Sequence, residues 1–429
     1  MKAGSRHRRE NKTQMAKEQI FVGLDVGSSV IRVVVGKQES ELGSPSIIGV
    51  GEAPSAGIRR GVIVDIDEAV SAISEALEKA ERMTGLSIDH AVVSVGGAQI
   101  MSQESHGVVA VSRADGEITE NDVVRVVDAS QAISIPPNRE ILHVIPKNFT
   151  VDGQTGIKDP VGMSGIRLEV DSQIIQASVP FIKNLTKCIM QAGLEIDDLV
   201  LTPLAAAQAV LTKKQKELGV VLIDLGGGTT GLVVFEESDL AASVILPVGA
   251  THITNDLAIG LRTSVDTAEK VKLQHGQAEA REIKKDSEID LSKIDKQEEG
   301  RVSVKHIAEI VEARMEEILD LVNKELKRIN KDGQLPAGAV LTGGGAKLPG
   351  VIELAKKQLR LPVSIGLPGA VTTVIDRVND PAFATGVGLV LWANEFLLGS
   401  SRTINKFARK VLENDTVNNL RKWFKSFLP

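Results

Sequence analysis

The sequence is poor in aromatic residues: its 429 residues include no tyrosine, two tryptophans and nine phenylalanines. It has one cysteine, Cys188, which cannot form a disulfide within the chain and fits a reducing compartment such as the cytoplasm. No apolar run approaches the roughly 18 residues of a membrane-spanning helix, which excludes a transmembrane protein. The composition, 42% hydrophobic and 25% charged, is that of a soluble globular protein, and the length predicts two to three domains.

Aromatic and basic residues are concentrated at the chain ends. Six of the eleven aromatics lie in the last 38 residues, although Trp392 and Phe396 are expected in the core. The net charge is −6, yet residues 1–17 and residues 402–429 are each strongly basic, so the body between them is acidic. An acidic body argues against nucleic-acid binding, whereas basic ends fit an anionic lipid surface. Residues 1–18 lack a signal-peptide core and are predicted to be a basic disordered arm or the product of a misplaced start codon.

Two segments, half a chain apart, share one pattern of an apolar run, an aspartate, a loop of small residues and a second apolar run. Glycine between two β-branched runs predicts a β-hairpin. The repeat itself predicts two structurally related halves. The first segment contains Asp25 and a first loop of Gly27, Ser28 and Ser29; the second contains Asp224 and a second loop of Gly226, Gly227, Gly228, Thr229 and Thr230.

Both loops have the chemistry of a phosphate site. Several backbone N–H groups must converge on a phosphate, and only small residues let the chain approach so closely. A neighbouring carboxylate can hold Mg²⁺, usually through water. Taken alone, the Asp25 segment is equally well explained as a tight turn, but two such hairpins facing each other would clamp a polyphosphate and its metal.

A third loop of Gly343, Gly344 and Gly345 follows the apolar residues 339–341. Alone it is a weak signal, because glycine-rich turns between a strand and a helix are common. As the third loop in order after the two hairpins it is a strong one, since triple glycine lets a base and sugar lie against the backbone. Walker and dinucleotide-binding motifs are missing from the sequence, and the seven histidines lack metal-ligand spacing.

Residues 417–428 form an amphipathic pattern on a helical wheel. Bulky aromatics opposite lysine and arginine are typical of a helix lying in the headgroup plane of a membrane. The alternative is a helix docked on the protein's own core or on a partner, but Pro429 and the tether-like residues 400–415 favour the membrane. The predicted membrane-binding residues are Val417, Leu420, Arg421, Lys422, Trp423, Phe424, Lys425, Phe427 and Leu428.

The order of the three loops resembles that of the actin-like ATPase superfamily. Within it, the chain is similar to the FtsA family of bacterial cell-division proteins from about residue 20 to the C-terminus. The segment 156–165 is the most discriminating match, because it belongs to a subdomain that actin and the heat-shock chaperones lack. The other matching segments are residues 23–27, 61–65, 247–256, 275–276 and 312–314.

The resemblance implies an α/β fold of two related actin-like domains, an inserted subdomain and a C-terminal amphipathic helix. It implies ATP and Mg²⁺ as ligands, with Asp25 and Asp224 around the metal through water, the first and second loops on the phosphates and the third loop beside adenosine. The predicted boundaries are 1–18 for the arm, 19–99 and 179–215 for domain 1, 100–178 for the inserted subdomain, 216–250 and 331–398 for domain 2, 251–330 for subdomain 2B, 399–414 for a linker and 415–429 for the membrane helix.

One position departs from the pattern of the superfamily. Chaperone ATPases carry a glutamate, and actin a glutamine nearby, that orients the attacking water; here Thr202 precedes Pro203 and has neither the length nor the basicity for that role. Gln208 lies too far along the predicted helix to replace it. We therefore expect ATP binding with slow or negligible hydrolysis.

The resemblance implies a division protein that polymerises at the cytoplasmic face of the cell membrane, at the septum. Its implied partners are FtsZ, further copies of itself, anionic lipids and later division proteins, with no nucleic acid. The FtsZ contact would lie on residues 251–330; the charged residues 279–301 could contribute to it or form a solvated loop. Two alternatives stay open: a pilus-assembly relative with the same ATP motifs, and a phosphotransferase of the superfamily, for which no base or enclosed pocket is apparent.

Overall fold

The computed structural model describes residues 19–38, 43–283, 287–369 and 371–403. The predicted arm, the membrane helix and all its named residues therefore lie outside the described part, as does the side chain of Phe396. Within this part of the chain, no helix combines the length and apolar character needed to cross a membrane.

Domain 1 begins with the predicted hairpin, whose strands pair antiparallel from Gln19 to Val26. Apolar residues at helical spacing predict a helix over 67–83, and the structure has one there. Asp65 caps its first turn by accepting from the Glu68 N–H at 3.0 Å, and Gly85 ends it in the left-handed region at φ 70°. The elements are β1 (Gln19–Val26), β2 (Val30–Gln38), β3 (Ser46–Pro54), β4 (Ile58–Arg59), β5 (Val62–Ile63), α1 (Ile66–Thr84) and β6 (His90–Val95).

The inserted subdomain is a four-stranded antiparallel sheet with one helix on its face. That helix has a full capping box between Thr119 and Asp122, and it packs Val123, Val126 and Val127 against the sheet. The elements are β7 (Ile100–Ala110), α2 (Glu120–Ser130), β8 (Arg139–Val151), β9 (Gln154–Ile157) and β10 (Arg167–Ser178). The strand order is β7-β10-β8-β9.

The chain then returns to domain 1 and crosses into domain 2. The sequence predicts helices over 181–192 and 203–211, and both are present with proline in their first turn. The elements are α3 (Val179–Gln191), β11 (Glu195–Leu201), α4 (Thr202–Val210), α5 (Lys213–Leu218), β12 (Val220–Leu225), β13 (Thr230–Glu236) and β14 (Asp239–Leu246).

Subdomain 2B is mostly helical. The density of charge over 279–301 predicts an exposed hairpin or loop, and a short hairpin pairs residues 288–290 with residues 301–303. The remaining elements are α6 (Ala250–Leu261), α7 (Val265–His275), β15 (Glu288–Asp290), β16 (Arg301–Ser303), α8 (Val304–Arg328), β17 (Ala339–Thr342), α9 (Val351–Leu359), β18 (Val363–Ile365), β19 (Thr372–Thr373) and α10 (Ala384–Thr403).

The two large sheets repeat one topology. Domain 1 has the order β11-β6-β1-β2-β3, extended by β19, and domain 2 has β18-β17-β12-β13-β14. In each, an antiparallel three-stranded meander pairs in parallel with two later strands. This equivalence explains the sequence repeat and confirms two related halves.

The last part of the chain lies differently from the predicted boundary, which placed 331–398 entirely in domain 2. Here β19 pairs with β3 at Ser46, and α10 packs Val387, Val390 and Trp392 into the core of domain 1. Residues 371–395 therefore belong to domain 1, because the apolar side chains described in this part of α10 are buried there. The same helix continues to Thr403, into the predicted linker 399–414.

Candidate functional site

The first and second loops face each other across a cleft between domains 1 and 2. A methyl group added at Gly227 would overlap Ser29 Oγ, and one added at Gly228 would lie 2.8 Å from Ser28 Oγ. Ser29 Oγ is also 3.3 Å from Thr251 Oγ1 of domain 2. The cleft has a volume of about 600 Å³, within the range of small-molecule sites.

Most of the predicted site residues line this cleft, and two do not. Thr230 is fully buried, and its hydroxyl donates to the Val248 carbonyl at 2.8 Å. Gly228 instead packs against Ser28 of the first loop. The predicted residues in the cleft wall are Asp25, Gly27, Ser28, Ser29, Asp224, Gly226, Gly227, Thr229, Gly343, Gly344 and Gly345.

The first loop is fixed by its neighbours. Ser28 Oγ accepts from the Gly61 N–H at 2.8 Å, and Ser94 Oγ accepts from the Val26 N–H at 2.9 Å. Ser94 in turn donates to Asp25 Oδ1, also at 2.9 Å. The sequence had one signal for this residue, since Ser94 interrupts the otherwise apolar run of β6.

The second loop sits on the start of α6. The backbone N–H groups of Ala250 and Thr251 donate to the carbonyls of Gly226 and Gly227 at 2.9 and 2.8 Å. A methyl group at Gly249 would meet the same two carbonyl oxygens at 2.5 and 2.6 Å. The close packing shows why this turn contains glycine, and it fixes the loop relative to domain 2.

The third loop passes beside Asp224. Gly343 has φ 81°, and a methyl group there would overlap Asp224 Oδ1. Gly344 has open space around it, so its backbone is accessible from the cleft. The Gly343 N–H donates to the Pro381 carbonyl at 3.0 Å, which ties this loop to the segment returning to domain 1.

Two buried carboxylates meet in the cleft. Burial raises the pKa of Asp25 above its ordinary value, although Arg32 and the hydrogen bond from Ser94 oppose the shift. Burial and the charge of Asp25 raise the pKa of Asp224 to about 7, against the opposing effect of Arg32. Two buried like charges are costly without a cation, so this pair suits a divalent metal.

ATP with Mg²⁺ fits these residues. Carboxylate, phosphate and water oxygens are the ligands that Mg²⁺ prefers, and the described part of the chain has no cluster of three His, Cys, Asp or Glu side chains able to hold a metal alone. Water and the phosphates would therefore complete the shell around Asp25 and Asp224. The glycine-lined loops leave room for that approach.

The wall formed by α7 was missed in the sequence. Lys272 Nζ lies 2.7 Å from Glu269 Oε2 and 2.9 Å from Thr254 Oγ1, and both charged side chains line the cleft. Nothing in the local sequence marks them as site residues, because they lie on one face of an ordinary charged helix.

The two residues considered for water activation lie in different places. Thr202 lines the cleft. Gln208 donates instead to Glu395 Oε1 at 2.6 Å, between α4 and α10. Neither residue therefore supplies a carboxylate beside the first and second loops to activate water.

Comparisons with known proteins agree with this geometry. A family model described as "Cell division protein FtsA" matches residues 221–388, and one described as "SHS2 domain inserted in FTSA" matches residues 97–176. The "Cell division protein FtsA" of Bacillus subtilis (strain 168) is 43% identical over 88% of this chain and 84% of its own length. That of Escherichia coli (strain K12) is 31% identical over 90% of this chain and 93% of its own length.

Solved structures share the fold at low sequence identity. A PilM-PilN type IV pilus biogenesis complex aligns with TM-score 0.64 and 17% identity, covering 87% of this chain and 98% of that chain. MreB5 of Spiroplasma citri bound to ADP aligns with TM-score 0.52 and 15% identity, covering 90% and 99%. The expected actin-like fold with its inserted subdomain is confirmed.

Proposed function

The chain belongs to the FtsA family of cell division proteins, and from that premise we propose that it is an ATP-binding membrane adaptor. It would polymerise at the cytoplasmic face of the cell membrane, at the septum, anchor FtsZ polymers there and recruit later division proteins. ATP binding is supported above all by one observation: two topologically equivalent loops face each other beside the buried aspartates Asp25 and Asp224.

In this proposal the backbone of the first and second loops binds the phosphates, Asp25 and Asp224 hold Mg²⁺ through water, and the third loop lies beside adenosine. Bound Mg²⁺ neutralises phosphate charge. ATP acts as a conformational ligand, because a ligand shifts an equilibrium only through its different affinities for two states. Titration of the purified chain with ATP, with and without Mg²⁺, tests this step. An ATP affinity that is the same in both conditions would contradict the assigned roles of the aspartates.

Hydrolysis is proposed to be slow, because Thr202 supplies no base where the cleft would need one. We expect phosphate release well below about one turnover per second, an ordinary enzyme's range. A clearly faster rate would contradict slow hydrolysis, whereas the phosphotransferase alternative predicts transfer of phosphate to an acceptor other than water.

Membrane attachment is proposed for residues 417–428, which lie outside the described part of the structure. Deleting 415–429 should abolish co-sedimentation with anionic liposomes. The double variant Trp423→Ala and Phe427→Ala should do nearly the same, whereas Asn418→Ala with Ser426→Ala on the polar face should not. Unchanged binding after the deletion would refute membrane attachment by the tail.

FtsZ is the proposed polymer partner, with the contact on subdomain 2B. Pulldown of FtsZ from the same organism by the full chain is the direct test. The pilus-assembly alternative is supported by similarity of fold alone, and failure to bind FtsZ, with intact nucleotide binding, would favour it.

A further inference from the structure

The segment 156–165 reaches across to domain 2. Lys158, directly after β9, forms an ion pair with Asp239 Oδ2 at the start of β14, and its Nζ lies 3.2 Å from Asn148 Oδ1. Asp239 is largely buried, with 17% of its side chain exposed, while 38% of the Lys158 side chain is exposed. The inserted subdomain is thus held to a domain other than the one into which it is inserted.

The rest of this contact is apolar at one end and polar at the other. Ile145 and Ile175 of the inserted sheet join a core with Leu204 of α4 and Leu222 of β12. Farther out, Lys147 Nζ donates to the Ala241 carbonyl at 3.4 Å.

A polar cavity of about 540 Å³ lies beside this outer contact. It is lined by Lys147, Ser243 and Gln173, whose buried Oε1 has no hydrogen-bond partner among the described residues. Water can replace the direct hydrogen bonds when a polar contact opens, whereas opening an apolar contact exposes its side chains to water. The apolar end can therefore act as a pivot and the Lys158 end as a latch.

The latch lies at one end of a hairpin whose other end is the second loop. β13 begins at Thr230, pairs with β14 along its length and turns back immediately before Asp239. The turn residues Glu237 and Ser238 are left-handed, at φ 52° and 67°, and their N–H groups donate to the carbonyls of Glu217 and Lys216 at 3.0 and 3.1 Å. This ribbon, roughly 20 Å long at 3.3 Å per residue, is fixed at both ends.

We propose that the Lys158–Asp239 pair is a latch through which the occupancy of the second loop sets the orientation of the inserted subdomain. The proposal rests on the nucleotide function proposed above. In the structure the latch is closed while the first and second loops touch, so a ligand that holds both loops together favours the latched state. Because coupling between two sites is reciprocal, opening the latch must lower the affinity for that ligand.

The test uses the full chain with Lys158→Glu, Asp239→Lys and the double variant that exchanges the two charges. Asp332→Lys is the matched control, because it breaks the Arg360–Asp332 pair (2.7 Å) outside the latch. One readout is the affinity for ATP with Mg²⁺. The other is the distance between spin labels on Ala114→Cys, exposed in the inserted subdomain, and Lys324→Cys, exposed on α8; native Cys188 is buried.

Each single charge reversal should lower ATP affinity about threefold to tenfold, a small coupling for a partly exposed pair, and broaden the label distance. The charge exchange should restore both readouts, and Asp332→Lys should change neither. ATP affinity and label distances that are the same in Lys158→Glu as in the unmodified chain would overturn the latch alone. If the unmodified chain does not bind ATP, the nucleotide function fails and the coupling with it, whatever the label distances show.

Discussion

The two halves of the cleft share a topology but treat their aspartates differently. Continuing the register of β1 with β6 by one residue places Ser94 beside Asp25, and in domain 2 Thr342 pairs with Asp224. Ser94 donates to its aspartate, whereas the Thr342 hydroxyl bonds to the Gly366 and Pro381 carbonyls at 3.2 and 3.1 Å. Arg32 lies opposite Asp25 on β2, and the matching position opposite Asp224 is Gly231.

Equivalent positions of one fold can therefore hold two aspartates that differ in how far the protein itself stabilises their negative charge. Asp25 has a hydroxyl donor and lies across from a guanidinium, so its own sheet offsets part of the cost of burying its charge. Asp224 has neither from its own sheet, and its charge is opposed by Asp25. We infer that Asp224 depends more strongly on a bound cation.

The largest effect should come from Gly343→Ala, which breaks the packing of domain 2 around Asp224. The new methyl group would overlap the carboxylate at a left-handed backbone. We expect ATP affinity to fall at least about a hundredfold, or about 3 kcal/mol, by calorimetric titration.

The matched control is Gly85→Ala, at another left-handed glycine (φ 70°), where a methyl group meets nothing within 4 Å. Gly85 ends α1 and does not line the cleft, so ATP affinity should stay within about threefold of that of the unmodified chain. Equal losses in both variants would mean that strain at a left-handed backbone, not the position of Asp224, explains the effect.

The next effect is a pH dependence of the ligand-free protein. Because the pKa of Asp224 rises from 3.8 to about 7 on folding, the unfolded state releases this proton first. The contribution of Asp224 to stability is therefore fully present below about pH 4, and it is lost as pH rises toward 7. Asp224→Asn should stabilise the ligand-free chain by about 1–3 kcal/mol at pH 8, measured by denaturant unfolding without Mg²⁺.

Asp25→Asn should give a smaller gain or a loss, because Asp25 already has Ser94 and Arg32 as favourable partners. Saturating Mg²⁺ and ATP should reverse the benefit of Asp224→Asn. Similar gains from both substitutions would remove the distinction between the two aspartates.

The smallest effect concerns the two hydroxyls themselves. Ser94→Ala takes a donor from Asp25 and an acceptor from the Val26 N–H, so we expect about 1–2 kcal/mol of lost stability and weaker ATP binding. Thr342→Val removes bonds to two carbonyls only, and should cost about 1 kcal/mol with ATP affinity unchanged. A loss of ATP affinity in Thr342→Val would place that hydroxyl in the site after all.

The predictable parts of this fold were those encoded locally. Both hairpins, α1 and α8 follow from the spacing of apolar residues, and the cleft followed from small residues after Asp25 and Asp224. The expectation that Trp392 lies in the core is confirmed, since it is 8% exposed and its Nε1 donates to Asp198 at 2.9 Å. The sequence does not show which core Trp392 joins, because α10 follows domain 2 in sequence but packs on domain 1.

The details of the site depended on packing that spacing does not encode. Thr230 belongs to the predicted loop by sequence, but its hydroxyl turns to Val248 because β13 begins there and the side chain is inside the sheet. Lys272 reaches the cleft only because α7 packs beside α6. The positions of both side chains depend on contacts between elements distant in sequence, so no local sequence pattern predicts them.

The packing of α10 on domain 1 also determines which part of the molecule would experience tension applied to the C-terminal end of the chain. A methyl group at Gly23 of β1 would lie 2.7 Å from the Gly386 carbonyl oxygen and from Leu389 Cβ, so helix and strand are in backbone contact. Tension on the chain beyond Thr403 would act through α10 on β1, which ends one residue after Asp25. Such tension would therefore act on the cleft from the side of domain 1.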